Sequence, residues 1–385
     1  MSTASNKAPD RESPPPENGP EPHELGARKA QHLEICLDEQ EYAVETGATG
    51  LEGIGFLHQA LPELNYEEID TGIRFLGHAV RLPMFISSMT GGSEAGFRAN
   101  KELARAAQTA GIPVGMGSIR ILFRRPEVFD HFALKKLAPD VPVFANLGGV
   151  QTRELEHAEV FEMLRRLEVQ GIAIHLNPGQ ELFQHDGDRD FRGVLTSLLR
   201  FVDRCPVPVI VKETGFGIDP RTVRRLVNAG VAYVDLAGGG GTNWVQVEAY
   251  RRGPRRRAAA EEFQDWGYPT GILLGAVESV PETGGRILAS GGLRTGLDLA
   301  KSLALGAHAA GYALPFIRAV HTGGAEGALE LVSRYEEVLR AAMLLTGSRS
   351  VADLRKARLL RSAAFRNAVS DLRRAVGFDH PQTGA

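Results

Sequence analysis

At 385 residues the chain could hold two average domains, yet one α/β barrel of about 250 residues with extensions accounts for it more economically. Its 44 Lys+Arg against 47 Asp+Glu leave a formal charge of −3, which gives no general attraction to nucleic acid or to an anionic lipid surface; any binding charge is local. No apolar run approaches the roughly 18 residues of a membrane span, and the opening residues lack a signal peptide's apolar core, so a cytoplasmic protein with no membrane or nucleic-acid partner is expected.

Residues 1–24, rich in Pro, Glu, Ser and Asn, carry hardly a bulky apolar side chain to offset the entropy of ordering, and read as a disordered tail. Residues 25–82, opened by Arg28, Lys29 and His32, show no strong period and read as an N-terminal extension laid against the main domain. From 83 to 346, eight apolar runs alternate with helical spacing, near 84–88, 112–117, 141–147, 171–176, 207–212, 231–236, 286–289 and 307–312. Helices are predicted between them, for example over 95–110, 154–169, 220–228 and 296–305. Buried parallel strands read this way, and eight even units predict a closed (β/α)8 TIM barrel, with a doubly wound open sheet as the competitor. The stretch 243–285 exceeds one helix and carries a basic run, Arg251 to Arg257, read as a solvated loop. Helices over 324–345 and 350–376 close the chain, the part from 347 to 385 forming a C-terminal helix and tail. Cys36 and Cys205 lie far apart in apolar surroundings, which fits reduced, buried thiols.

In such a barrel the chemistry sits at the carboxyl ends of the strands, and here those ends are small and polar. The first run ends Ser87-Ser88-Met89-Thr90-Gly91-Gly92, the second Gly117-Ser118-Ile119-Arg120, the third Asn146-Leu147-Gly148-Gly149. The fifth ends Lys212-Glu213-Thr214-Gly215 and the sixth Gly240-Gly241-Thr242-Asn243-Trp244. Glycines let backbone N–H groups approach a ligand and the Ser, Thr and Asn add directed hydrogen bonds, so a planar polar cofactor would fit. After the seventh run comes Ser290-Gly291-Gly292-Leu293-Arg294-Thr295, with Thr295 and Asp298 at capping-box spacing, and after the eighth Gly311-Tyr312-Ala313-Leu314. Glycine-rich turns there form the usual barrel phosphate site, although tight turns use glycine routinely.

Lys212 at the barrel mouth is either one half of a buried ion pair with Glu213 or a neighbour, or a positive charge beside a flavin ring. His175 alone could be a hydrogen-bonded core residue, but Asn177, Gln180 and Glu181 on the same loop exceed what packing needs. Glu181 is either an exposed or ion-paired acid or a single hard oxygen ligand of the kind Mg²⁺ takes beside substrate phosphates. Arg28, Lys29 and His32 are either a solvated helix start or a diphosphate clamp.

Taken in order, Arg28-Lys29-x-x-His32, Ser88-Met89-Thr90-Gly91-Gly92, Gly117-Ser118-x-Arg120, His175-x-Asn177-x-x-Gln180-Glu181, Lys212-Glu213-x-Gly215, Gly240-Gly241-Thr242-x-Trp244 and Ser290-Gly291-Gly292-Leu293-Arg294 resemble the type 2 isopentenyl-diphosphate isomerases at like spacing. The resemblance implies interconversion of isopentenyl and dimethylallyl diphosphate with FMN reduced by NADPH, together with Mg²⁺. It assigns FMN to Ser88, Met89, Thr90, Ser118, Asn146, Lys212, Thr242, Gly291, Gly292, Ala313 and Leu314. It assigns the substrate to Arg28, Lys29, His32, Ser118, Arg120, His175, Asn177 and Gln180, and the metal to Glu181. It implies no catalytic group beyond the flavin, whose N5 edge would face the alkene, supported by His175 and Gln180. It also implies a homo-oligomer, a tetramer or octamer. Two positions depart from the family: Ile119, where Gln is usual, would remove a polar group from the substrate side, while Asn243, often Ser, keeps hydrogen-bonding capacity. Two rivals remain, an FMN-dependent oxidoreductase acting on hydroxy acids and a non-catalytic flavin protein that senses diphosphates.

Overall fold

The computed structural model describes residues 22–252 and 254–378. Eight parallel strands form a closed barrel: β1 (Met84–Ile86), β2 (Val114–Ser118), β3 (Val143–Gly148), β4 (Gly171–His175), β5 (Val209–Lys212), β6 (Tyr233–Asp235), β7 (Ile287–Ala289) and β8 (Ala309–Tyr312). Each overlaps a predicted run, and β8 pairs with β1, so the TIM barrel is the observed fold and the barrel itself has no open edge. Side chains alternate in and out along a strand. The inward positions Phe85, Phe144, Ala173, Ile210, Tyr233, Leu288 and Ala309 pack into one cluster inside the barrel. Phe75, from a hairpin of strands Ile73–Phe75 and His78–Val80, plugs the lower end and stacks on Phe85 at 5.5 Å and Tyr233 at 5.2 Å.

The helices Glu94–Ala110, His157–Arg166, Pro220–Asn228 and Gly296–Ala304 lie in the predicted segments. The last begins with the capping box read from the sequence, Thr295 with Asp298. Between β2 and β3 the crossover is three 3-10 turns rather than an α-helix. The stretch after β6 holds helices Trp244–Tyr250, Pro254–Glu261 and Thr270–Val277. The basic run is therefore largely helical, not a loop: Arg255, Arg256 and Arg257 are exposed, while Arg251 is tied to the buried Glu248 at 2.7 Å.

Three expectations need correction. The N-terminal helix spans Pro22–Leu37, so residues 22–24 are helical rather than tail, proline being well suited to a first helical turn; residues 1–21 lie outside the described residues. The helix after β8 runs from Leu314 to Leu345, with a break at Gly324, whose φ of 59° no helix interior adopts. The segment 350–376 is not one helix. Ser350 and Ser362 each cap a separate helix, Val351–Leu354 and Ala363–Ala375, and between them Leu359–Arg361 pairs antiparallel with Ile54–Phe56 of the N-terminal extension. That pairing, Ile54 with Arg361 through Phe56 with Leu359, joins segments more than 300 residues apart, and no local pattern encodes it.

Cys36 and Cys205 are both free, and burial pushes their thiols up to about 12 and about 11, so neither is a thiolate near neutrality. Among the described residues no helix is long and apolar enough to cross a membrane.

Candidate active site

Two positions beyond each inward apolar residue, the barrel interior turns polar. The strand period places Ser87, Asn146, His175, Lys212, Asp235 and Ser290 inward at the carboxyl end, and Gly311 and Ser118 complete the layer, Ser118 because a register shift in β2 pairs it with Asn146. All of these but Asp235 line one cavity at the barrel mouth. The cavity's roof is the N-terminal helix, which contributes Arg28, Lys29 and His32. Every residue singled out in the sequence for substrate, cofactor or metal lines this same cavity.

The upper half is a cage of hydrogen bonds around one buried acid. Glu248, 1% exposed, accepts from Arg251 at 2.7 Å and Gln180 Nε2 at 3.3 Å, and lies 2.8 Å from His32 Nε2. Burial alone would raise its carboxyl, but His32 and Arg251 outweigh that and hold it at about 2, so it stays anionic. His32 meets Trp244 edge-on at 5.3 Å, which docks the N-terminal helix onto the helix after β6. Asn177 Nδ2 donates to Gln180 Oε1 at 2.9 Å and to Glu181 Oε1 at 3.0 Å. Glu181 Oε2 accepts from the backbone N–H of Asp188 at 2.9 Å. Burial raises the Glu181 carboxyl above its ordinary range.

Below the cage, His175 Nδ1 lies 3.0 Å from Asn146 Oδ1. Burial first, then the charges of Lys212, Lys29 and Arg120, lowers its imidazolium to about 3, so the ring is neutral near pH 7. Lys212 Nζ donates to the backbone carbonyl of Glu213 at 2.6 Å, and the nearest acid is Asp235, at 3.9 Å, not the Glu213 carboxylate. The Glu213 carboxylate turns the other way, where one oxygen accepts the N–H groups of Thr214, Gly215, Phe216 and Gly217. Four donors on one buried acid fix the loop that carries Thr214 and Gly215 into the cavity. Glu213→Gln, which replaces that charge, is expected to cost about 2–4 kcal/mol, measured as a lower urea midpoint with an unchanged slope.

Gly291 and Gly292 sit at φ 92° and 76° where the loops after β6 and β7 touch. A Cβ on either would lie 2.1 Å from the Gly238 carbonyl or 2.4 Å from that of Gly240, so only glycine fits. Glu45, from the N-terminal extension, crosses over this loop and binds Arg294 at 2.8 Å, and the Asn243 N–H donates to the Val44 carbonyl at 2.8 Å. Asn243 also caps its helix, accepting from Val245 N–H at 3.0 Å. Ile119 is wholly buried among apolar neighbours and does not line the cavity. The expectation that it removes a polar group from the substrate side is therefore incorrect: its side chain packs in the core.

Sequence reading did not single out Asp235, Glu248 or Glu45. Asp235 could have been found by counting two residues on from Tyr233. Glu248 lies one helical turn past Trp244 and is thereby on the same face. Glu45 carries no local signal.

Several buried polar atoms in the cavity have no partner: the hydroxyls of Ser87, Ser88 and Thr90 and the Nε of Arg28. Such orphans are costly unless a ligand satisfies them, which suits a cofactor rich in donors and acceptors. Residues 34–122 and 175–361, more than half of the chain, match the FMN-dependent dehydrogenase family, and the chain belongs to it. A solved mandelate oxidase mutant with a monooxide FMN adduct shares the fold, with a TM-score of 0.61 and 20% identity over 86% of this chain and 99% of its own. Sequence relatives are more specific. The isopentenyl-diphosphate delta-isomerase of Borrelia garinii subsp. bavariensis is 44% identical over 339 residues, 88% of this chain and 94% of its own. Those of Thermococcus kodakarensis and Halobacterium salinarum are 40% and 41% identical over 86% of this chain, covering 90% and 91% of theirs. The chain is a member of the isopentenyl-diphosphate delta-isomerase family, of the FMN-dependent, type 2 kind.

Proposed function

We propose that the protein interconverts isopentenyl and dimethylallyl diphosphate, moving a double bond by adding a proton at one carbon and removing one from another. The observation that carries this reading is the charge of the cavity. Among the described residues Arg28, Lys29, Arg120, Lys212 and Arg294 line it against a single carboxylate, Glu181, although the whole chain is net negative. That lining suits anionic phosphate groups and offers no pair of carboxylates for acid–base work.

Ser88, Met89, Thr90, Ser118, Asn146, Lys212, Thr242, Gly291, Gly292, Ala313 and Leu314 would hold FMN, the orphaned hydroxyls of Ser88 and Thr90 gaining partners. Reduced FMN, kept so by NADPH, would supply the acid–base group when bound. Arg28, Lys29, His32, Ser118, Arg120, His175, Asn177 and Gln180 would hold the diphosphate ester. Glu181 would hold Mg²⁺. Among the described residues no cluster of three or more His, Cys, Asp or Glu could bind an ion alone, so the substrate's phosphates would complete its shell. Neutral His175 offers hydrogen bonds to the bound ester near pH 7. Gln180, fixed between Asn177 and Glu248, is oriented without being charged. Turnover by NADPH-reduced, FMN-loaded protein in D₂O tests the reading: deuterium should enter the allylic product, and oxidised FMN should support none.

Lys29 supplies a separate check. Burial, and then the neighbouring Arg28, lowers its ammonium to about 7. At pH 8 the free protein therefore carries Lys29 mostly neutral, and a diphosphate seated against it restores the charge. Binding should take up about one proton at pH 8 and far less at pH 6, where Lys29 is already protonated. Calorimetric titration in buffers of different ionisation enthalpy measures this, and Lys29→Met should abolish the uptake.

Assembly as a tetramer or octamer belongs to the same proposal, supported by the exposed Leu57, Leu61, Leu345 and Leu360. Analytical ultracentrifugation that found only monomer would remove it.

A further inference from the structure

Asp235 is the one charged member of the polar barrel layer that does not reach the cavity. It ends β6 directly beside Lys212 in the strand register, and its side chain is 1% exposed. One carboxylate oxygen accepts from Ser290 Oγ at 2.7 Å, and the other lies 3.9 Å from Lys212 Nζ. Burial raises the Asp235 carboxyl, and Lys212, then Ser290 and the nearby backbone N–H of Ala237, a non-glycine residue at φ 42°, oppose that rise. Lys212, Ala237 and Ser290 all line the cavity, on three successive loops. A neutral Asn could hold Ser290 and Ala237 equally well. A buried carboxylate is far more expensive to desolvate, and Asp235, unlike Glu213 with its four backbone N–H donors, faces a cation that can answer its charge. Lys212 is the cation within reach.

We infer that Asp235 is a positioning residue that acts through Lys212, holding its ammonium in place from behind and offsetting part of its positive field at the flavin. The inference rests on FMN lying against Lys212, as proposed above. A cation at the electron-rich end of the ring favours the reduced, anionic state, and a carboxylate behind that cation moderates the preference. Removing the carboxylate's charge leaves Lys212 unopposed.

The test is the midpoint potential of FMN bound to the full-length protein, by dye equilibration under anaerobic conditions, in the wild type, Asp235→Asn and Asp235→Ser. Both variants should bind reduced FMN more tightly relative to oxidised FMN by about tenfold, the scale of one unscreened charge at an effective dielectric of about 20. For a two-electron couple that is a rise of about 30 mV. A potential that stays at the wild-type value, or falls, in a variant that binds FMN would overturn the inference, since a purely structural acid leaves it unmoved. Variants that both lose the folded far-ultraviolet circular dichroism would make Asp235 a folding residue and overturn it as well. A wild type that binds no FMN would instead remove the reading on which the inference stands.

Discussion

Turnover of Glu181→Ala is expected to fall by about three orders of magnitude while FMN stays bound. Among the described residues Glu181 is the single carboxylate on the cavity wall, so no other acid lining the cavity can take over an ion. Lewis-acid stabilisation of a phosphate by a divalent cation is worth several kcal/mol, and about 4 kcal/mol corresponds to about a thousandfold in rate. The carboxylate also accepts from Asn177, Gln184 and the Asp188 N–H, so alanine loosens that loop. Glu181→Gln separates the two effects, because it keeps an acceptor on the loop but loses the charge. Both variants should lose Mg²⁺-dependent rate alike, while the flavin absorbance of the reconstituted protein stays at wild-type occupancy. Normal Mg²⁺-dependent turnover in either would remove the metal from Glu181.

The second large effect is at Lys212. Lys212→Ala removes a positive charge from the cavity and leaves Asp235 buried without its cation. Stranding one partner of a buried pair costs about 3–5 kcal/mol. Part of that appears as lost stability and part as weaker FMN binding, expected at about a hundredfold by fluorescence titration. The potential of whatever FMN binds should move negative, opposite in sign to Asp235→Asn, because the charge favouring the reduced ring has gone. Unchanged affinity and potential would place Lys212 away from the flavin.

The barrel was legible because each buried strand carries its own short apolar run, and the eight runs repeat with helical spacing between them. The cavity was legible for a related reason: in a parallel barrel one end collects the carboxyl termini of all eight strands, so polar residues at run ends converge without further information. The capping box at Thr295 and Asp298 is a four-residue signal and was read directly. What could not be read is non-local. The strand Leu359–Arg361 forms only because Ile54–Phe56 offers it an edge, and Glu45 reaches Arg294 only because the extension folds back over the barrel mouth. The sequence leaves Lys212 as either a partner of Glu213 or a neighbour, or a charge beside a flavin; which acid lies near it depends on backbone direction, since adjacent residues of a strand point to opposite faces. Ile119 opens the 3-10 turn after β2, where strand alternation no longer applies: its neighbours Ser118 and Arg120 line the cavity while it is buried in the core.

The most direct test of the isomerase reading is the ratio of product to reductant. Purified protein with FMN, Mg²⁺ and isopentenyl diphosphate, held anaerobic with a small measured amount of NADPH, is scored for dimethylallyl diphosphate formed and NADPH consumed. An isomerase returns product in large excess over NADPH, because reducing the flavin once suffices for many turnovers. One NADPH consumed for each substrate converted would mark an oxidoreductase and contradict the account.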